Sequence, residues 1–142
     1  MKGYVLVLLQ FVLILLIVIG GPIAHSQSLF LCLQLPALVL LVWALVKMGK
    51  KQLSVLPQPL RHSVLRNDGP YRFIRHPMYT AVLLFCLGSV LQHPNAGRLI
   101  CWLLLQTVLV IKINYEETLL LRTFPTYAAY ARRTARLFPG IW

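Results

Sequence analysis

Four apolar stretches separated by polar segments leave this chain little choice of fold. The first, Tyr4 to Ile19, is broken only by Gln10, and the second runs from about Leu29 to Val46 and carries Pro36. The third starts near Met78 and ends near Leu91, and the fourth runs from about Leu99 to Ile113. Hydrophobic residues make up 58% of the chain, charged residues 12%, and mean hydropathy is +0.74. Soluble domains usually carry about 25% charged residues, so this chain has too little polar surface to cover a globule in water. Lipid must be the solvent for much of it, and helices satisfy their own backbone groups there. The expected architecture is all-α: an integral membrane helical bundle of about four transmembrane helices plus a C-terminal amphipathic helix. The 142 residues suit a single membrane domain, with two N-terminal spans in 1–48, a cytoplasmic loop in 49–77, and a helical hairpin plus tail in 78–142. Crossing the hydrocarbon takes about 20 residues. The third and fourth stretches are shorter than that, and are expected to borrow length from their flanks or to form a tight hairpin turning between Gln92 and Gly97.

The net charge of +11 is placed as a membrane protein places it. Lys47, Lys50, Lys51, Arg61, Arg66, Arg72 and Arg75 lie between the second and third stretches, and Lys112, Arg122, Arg132, Arg133 and Arg136 end or follow the fourth. The segment from Gly20 to Ser28 has neither Lys nor Arg, and the turn at 92–98 has only Arg98. The positive-inside rule then puts both termini and the central loop in the cytoplasm, in a multi-pass protein of the inner or plasma membrane. The partner of spare positive charge is the anionic lipid surface of the bilayer, and no nucleic-acid partner is expected. The first stretch is slightly long for the apolar core of a signal peptide and is read as a retained span. Cys32, Cys86 and Cys101 fall inside apolar stretches without CxxC spacing, and read as packing residues with no disulfide or metal site.

Polar and aromatic residues that could carry chemistry crowd into the second half. In residues 67–79, Asp68-Gly69-Pro70 is turn chemistry, and Pro77 suits the first turn of the third helix. Arg75 and His76 then lie beside a helix N-terminus, where an anion is favoured; the same residues would also serve as interfacial anchors. Glu116 and Glu117 are two of only three acidic residues and have apolar sequence on both sides, so they need a partner or a water-filled cavity. Lys112 lies four residues before Glu116 on the same helical face, within reach of an ion pair. Glu117 points about 100° away, so the two carboxylates are not expected to serve the same atom. In the tail, Pro125 and Thr126 can start a helix and Pro139-Gly140 can stop it. Tyr127, Tyr130, Thr134 and Leu137 share a stripe, with Arg132, Arg133 and Arg136 largely off it, as in an amphipathic helix lying on the membrane face.

The order Gly-Pro-Tyr-Arg-x-x-Arg-His-Pro-x-Tyr, helical hairpin, Glu-Glu-x-x-Leu, then Phe-x-x-Tyr-x-x-Tyr-x-x-Arg-Thr…Pro-Gly, from about Asp68 to Ile141, resembles the isoprenylcysteine carboxyl methyltransferase and phospholipid methyltransferase superfamily. The resemblance implies a membrane-embedded methyltransferase dependent on S-adenosyl-L-methionine and acting on a lipidic or prenylated acceptor. By position it implies that Arg75, His76, Pro77, Tyr79 and Glu117 contact the cofactor beneath the tail helix, and that Glu116 and Lys112 lie nearer the acceptor as catalytic residues. The family commonly has Arg where this chain has Lys112, and a Lys point charge does not grip a carboxylate as an Arg fork does. Ala81 and Pro125 stand where Gly is common. Two other readings of the layout stay open: an NADPH-dependent membrane reductase of the sterol-reductase type, with Arg72 or Arg132 meeting the 2′-phosphate, and a non-catalytic membrane protein on the same scaffold. A metal site from His62, His76 and a Glu lacks recognisable spacing, and His25 and His93 read as interfacial residues.

Overall fold

Residues 2–19, 28, 30–49 and 65–140 are described by a computed structural model. The expected turn after the first span and most of the central loop, with His25, Lys50, Lys51, Arg61 and His62, lie outside the described residues. Helix α1 is Lys2–Ile19; a π-helical turn, Phe30–Gln34, leads into α2, Leu35–Met48; α3 is Pro77–Gln92; α4 is Ala96–Thr123; and α5 is Tyr127–Ala131. A 3₁₀ turn, Gly69–Arg72, precedes α3. Among the described residues the regular structure is helical, apart from one isolated parallel bridge between Ile74 and Ala135.

Local chemistry explains most boundaries. Pro36 does not kink the middle of a helix; it sits in the first turn of α2, where a missing N–H costs little, and the wider π-helical turn comes just before it. Pro77 opens α3 as expected. The Asn95 side chain caps α4 by accepting from Gly97 N at 2.7 Å. Gly69 has φ +57°, and a Cβ there would lie 2.8 Å from Lys47 Cγ. Lys47 in turn pairs with Asp68 at 3.3 Å, which ties the end of α2 to the turn before α3.

One expectation is met and one is corrected. The fourth apolar stretch borrows length from its flanks, and its helix does not end near Ile113: α4 continues through Glu116 and Glu117 to Thr123, 28 residues in all and about 42 Å long. Both carboxylates are turned onto cations and a phenol donor, so they do not force the helix to end. The tail is not one amphipathic helix. After Ala131 the chain leaves the helix, and Arg75 N and His76 N donate to Ala135 O and Arg136 O while Ala135 N donates to Phe73 O. In a continued helix Ala131 O would accept from Ala135 N. Here the Arg75 guanidinium takes Ala131 O at 2.7 Å and also Thr134 O, so a tertiary contact outcompetes local helix propensity. The expected stripe still describes burial: Tyr127 and Leu137 are buried, and Arg132 and Arg133 are exposed.

α1 packs mainly on α4, and α2 on α3. Leu13, Ile17, Leu83, Cys86, Leu105, Leu109 and Ile113 form the shared core. At Gly88 of α3 a Cβ would stand 2.8 Å from Gln34 Cγ, so the glycine permits that close approach. Leu8, Phe11 and Leu15 on α1 and Leu99, Leu103, Leu104 and Ile111 on α4 face outward. Among the described residues α4 alone is long and apolar enough to cross a membrane by length and composition; Gly3–Ile19, Cys32–Met48 and Pro77–Gln92 are shorter apolar helices.

Buried Arg98 holds the far end of the bundle. Its Nε and one terminal nitrogen donate to Ile17 O at 3.1 and 2.7 Å, with further bonds to Ser89 Oγ at 3.0 Å and His93 O at 2.9 Å. Ile17 is in the last turn of α1, where carbonyls lack helical partners and a cation is favoured. Replacing Arg98 with methionine is expected to cost about 2 kcal/mol, seen as a lower thermal midpoint in detergent. An unchanged midpoint would show that α1 is held without this clamp.

Candidate functional site

The start of α3, the middle of α4 and the returning tail converge on one buried cluster of charges. Arg75 is positioned by the turn that precedes α3, and its Nε donates to Glu117 Oε1 at 2.7 Å. Arg136, brought over by the tail, reaches Glu117 Oε2 at 2.9 Å. The Arg75 and Glu117 side chains are only 9% and 10% exposed, so this pair is shielded from solvent and salt screening.

His76, the N-cap residue of α3, stands between both carboxylates. Its Nε2 lies 3.4 Å from Glu117 Oε1 and its Nδ1 3.6 Å from Glu116 Oε2. Each carboxylate meets a different nitrogen of one ring, which is how residues 100° apart on α4 come to share a side chain. Tyr79 donates to Glu116 Oε1 at 2.6 Å and stacks on His76, with 5.6 Å between ring centroids and 8° between planes. Thr80 donates to Leu137 O at 2.7 Å and helps hold the tail against α3.

Lys112 behaves differently from the expectation. No ion pair joins it to Glu116. Its Nζ donates to Gln10 Oε1 of α1 at 3.0 Å and lies 5.0 Å from the Tyr79 ring centroid, a cation–π distance. Glu116, one turn along, is engaged by Tyr79 and His76 instead.

The turn before α3 and the tail add tyrosines whose hydroxyls stay protonated because burial raises them: Tyr71 of the turn and Tyr127 of the tail are pushed up, the latter also by the nearby Glu117 charge, and Tyr130 of the tail is pushed up to about 12. Tyr130 donates to Tyr71 O at 2.7 Å. The Tyr71 hydroxyl is buried and has no hydrogen-bond partner among the described residues, and the buried Tyr127 hydroxyl faces Glu117. Such groups are costly unless something satisfies them. A cleft of about 520 Å³ adjoins this region, lined by Asn67, Arg72, Tyr130, Arg133 and Thr134 among others, a volume suited to a small organic ligand. Thr134 belongs to both, since its carbonyl takes the Arg75 guanidinium.

The structure thus brings together Arg75, His76, Tyr79, Glu116 and Glu117, places Pro77 under them as the first residue of α3, and sets Lys112 beside Tyr79. It adds Arg136, Tyr71, Tyr127 and Gln10. Gln10 had a sequence signal, being the single polar residue of the first apolar stretch. Arg136 had none, because its approach depends on the tail leaving the helix. Among the described residues no group of three His, Cys, Asp or Glu could hold a metal ion.

No solved structure matches the chain. It is similar to the cobalt-zinc-cadmium resistance protein CzcN of Cupriavidus metallidurans, 29% identical over 99 residues, which are 69% of this chain and 46% of that protein. It is also similar to the nickel-cobalt-cadmium resistance protein NccN of Alcaligenes xylosoxydans xylosoxydans, 33% identical over 79 residues, 54% of this chain and 37% of that one. The chain therefore covers less than half the length of either relative. The phospholipid methyltransferase family model matches residues 29–127, a stretch that holds Arg75, His76, Tyr79, Lys112, Glu116 and Glu117. With more than half of its length matched, and with every charged residue of the cluster except Arg136 inside the match, the chain belongs to the phospholipid methyltransferase family.

Proposed function

We propose that this protein catalyses methyl transfer from S-adenosyl-L-methionine to a lipidic or prenylated acceptor at the cytoplasmic face of a membrane that its helices cross four times. The observation that carries the reading is the buried cluster of Glu116, Glu117, Arg75, Arg136 and His76, with the unbonded Tyr71 hydroxyl and the buried Tyr127 hydroxyl at its edge. These residues fit the cofactor. A methionyl ammonium needs a carboxylate, which Glu117 supplies; its carboxylate needs guanidinium and N–H donors, which Arg75 and Arg136 supply; and aromatic faces suit a sulfonium cation. The bound cofactor would supply an activated methyl group. The chain's own part is positioning: His76 stands between both carboxylates with Nε2 3.4 Å from Glu117 Oε1, Tyr79 orients Glu116, and the docked tail covers the cluster. Holding a methyl donor and an acceptor in line contributes most of the rate in such reactions.

Transfer of radiolabelled methyl from S-adenosylmethionine to prenylcysteine analogues or phospholipids by the detergent-solubilised protein tests this reading. Label is expected in the lipid extract. His76→Ala and Glu117→Gln should each weaken S-adenosylhomocysteine binding by about 1–3 kcal/mol, the scale of a lost buried or charged hydrogen bond. Wild-type binding in both variants would remove the cluster from the cofactor site.

The outward-facing apolar side chains of α1 and α4 and the Lys/Arg asymmetry support the four-span arrangement with both termini inside. In a cysteine-free background, a cysteine at exposed Asn67 is expected to react with an impermeant reagent only from the cytoplasmic side, and one at exposed Pro94 only from the outside. Labelling of Asn67→Cys from outside would invert the arrangement and strand the cluster away from cytoplasmic cofactor. A second reading has one observation in its favour: Arg72 and Arg133 line the cleft, and two guanidiniums there would suit the 2′-phosphate of NADPH in a membrane reductase.

A further inference from the structure

Helix α1 lies outside the segment matched by the family model, yet it reaches into the cluster. Gln10, Leu13 and Ile17 are its buried face, spaced as one stripe of a helix. Two of them fill the core. Gln10 is 7% exposed, and an amide placed there has to be satisfied within the protein. Its Oε1 accepts from Lys112 Nζ at 3.0 Å, and Lys112 is itself only 2% exposed. A neutral amide fixes an ammonium without cancelling its charge, as a carboxylate would. The ammonium also sits over the Tyr79 ring, and a cation on that face makes the phenol a better donor to Glu116, 2.6 Å from its hydroxyl.

We infer that Gln10 is a positioning residue of the acceptor side of the site, holding the Lys112 ammonium over Tyr79 so that its charge meets the anionic headgroup of the acceptor. The inference rests on the methyl-transfer reading and adds to it a role for the N-terminal helix in placing the acceptor. Gln10→Leu frees the ammonium from its anchor. Gln10→Glu keeps the anchor and cancels the charge. Both variants therefore weaken the acceptor and spare the cofactor, whereas a residue that merely glued α1 to α4 would tolerate Glu, which binds Lys112 at least as firmly.

The test uses the full chain in detergent with lysines labelled at the ε-carbon, the Lys112 signal being the one lost in Lys112→Arg. That signal is expected upfield of the other lysines from the Tyr79 ring current, and should return toward them in Gln10→Leu and in Tyr79→Leu. In radiolabel assays with farnesylcysteine analogues and with phosphatidylethanolamine vesicles, both Gln10 variants should raise the acceptor KM about tenfold, the effect of one lost charge-assisted contact. Affinity for S-adenosylhomocysteine should stay at the wild-type level. Which acceptor responds separates a carboxylate headgroup from a phosphate one. A Lys112 signal unmoved by Gln10→Leu overturns the anchoring, and an unchanged KM in Gln10→Glu reduces Gln10 to a structural contact. Loss of S-adenosylhomocysteine binding in both variants puts the pair on the cofactor side and overturns the assignment. A wild-type protein that binds no S-adenosylhomocysteine is a failure of the methyl-transfer reading; the acceptor role then falls with it, and the Lys112 signal still decides whether Gln10 holds the ammonium.

Discussion

Replacing Arg75 with methionine is expected to destabilise the protein by about 3–5 kcal/mol, the cost of removing one partner from a buried ion pair. Arg75 has more than one duty. It neutralises Glu117, and it binds the Ala131 and Thr134 carbonyls that the tail gives up on leaving the helix. Without the guanidinium those carbonyls lose their donor, and Glu117 keeps only Arg136 and His76. The tail should then detach from the 73–76 segment. Thermal unfolding in detergent reads the stability, and limited proteolysis after Arg132 or Arg133 reads the tail. Arg75→Lys should rescue little, because a point charge cannot serve the carboxylate and two carbonyls as a planar fork does. A methionine variant with wild-type midpoint and a protease-resistant tail would mean that the backbone bridge alone holds the C-terminus.

The largest catalytic effect is expected at Lys112. Lys112→Met keeps the apolar stem and removes the charge, and turnover should fall by about 10²–10⁴-fold, the range for a missing or misplaced catalytic group. S-adenosylhomocysteine affinity should stay close to wild type, since the contacts of Glu117 are with Arg75, Arg136 and His76. Lys112→Arg should retain much of the activity by keeping the charge. Normal turnover in Lys112→Met would make Lys112 a clamp between α1 and α4. Loss of cofactor binding would move it to the cofactor's surroundings.

Much of this arrangement was legible in the residues. Apolar runs and breakers located the helices, and Pro77 and the 92–97 turn marked ends that periodicity leaves vague. Glu116 and Glu117 stood out because charged groups flanked by apolar sequence demand partners, Arg75 and His76 because they lie beside a helix N-terminus, and Tyr79 through the family resemblance. What the pattern did not carry was competition between local and distant bonds. The tail has a helical stripe, but Arg75, 56 residues away from Ala131 in sequence, takes the carbonyl that the next turn would use. Likewise Lys112 and Glu116 have ion-pair spacing, yet Gln10, 102 residues from Lys112, and Tyr79 claim them separately. The extension of α4 beyond its apolar stretch was expected from the length a span needs, and the partners that Tyr79, Arg75 and Arg136 give the carboxylate pair within it were not.

Calorimetric titration of the detergent-solubilised wild-type protein with S-adenosylhomocysteine, and separately with NADPH, tests the central claim most directly. Saturable one-site binding of S-adenosylhomocysteine and none of NADPH is the predicted result. Binding of NADPH with no response to S-adenosylhomocysteine would contradict methyl transfer and favour the reductase reading.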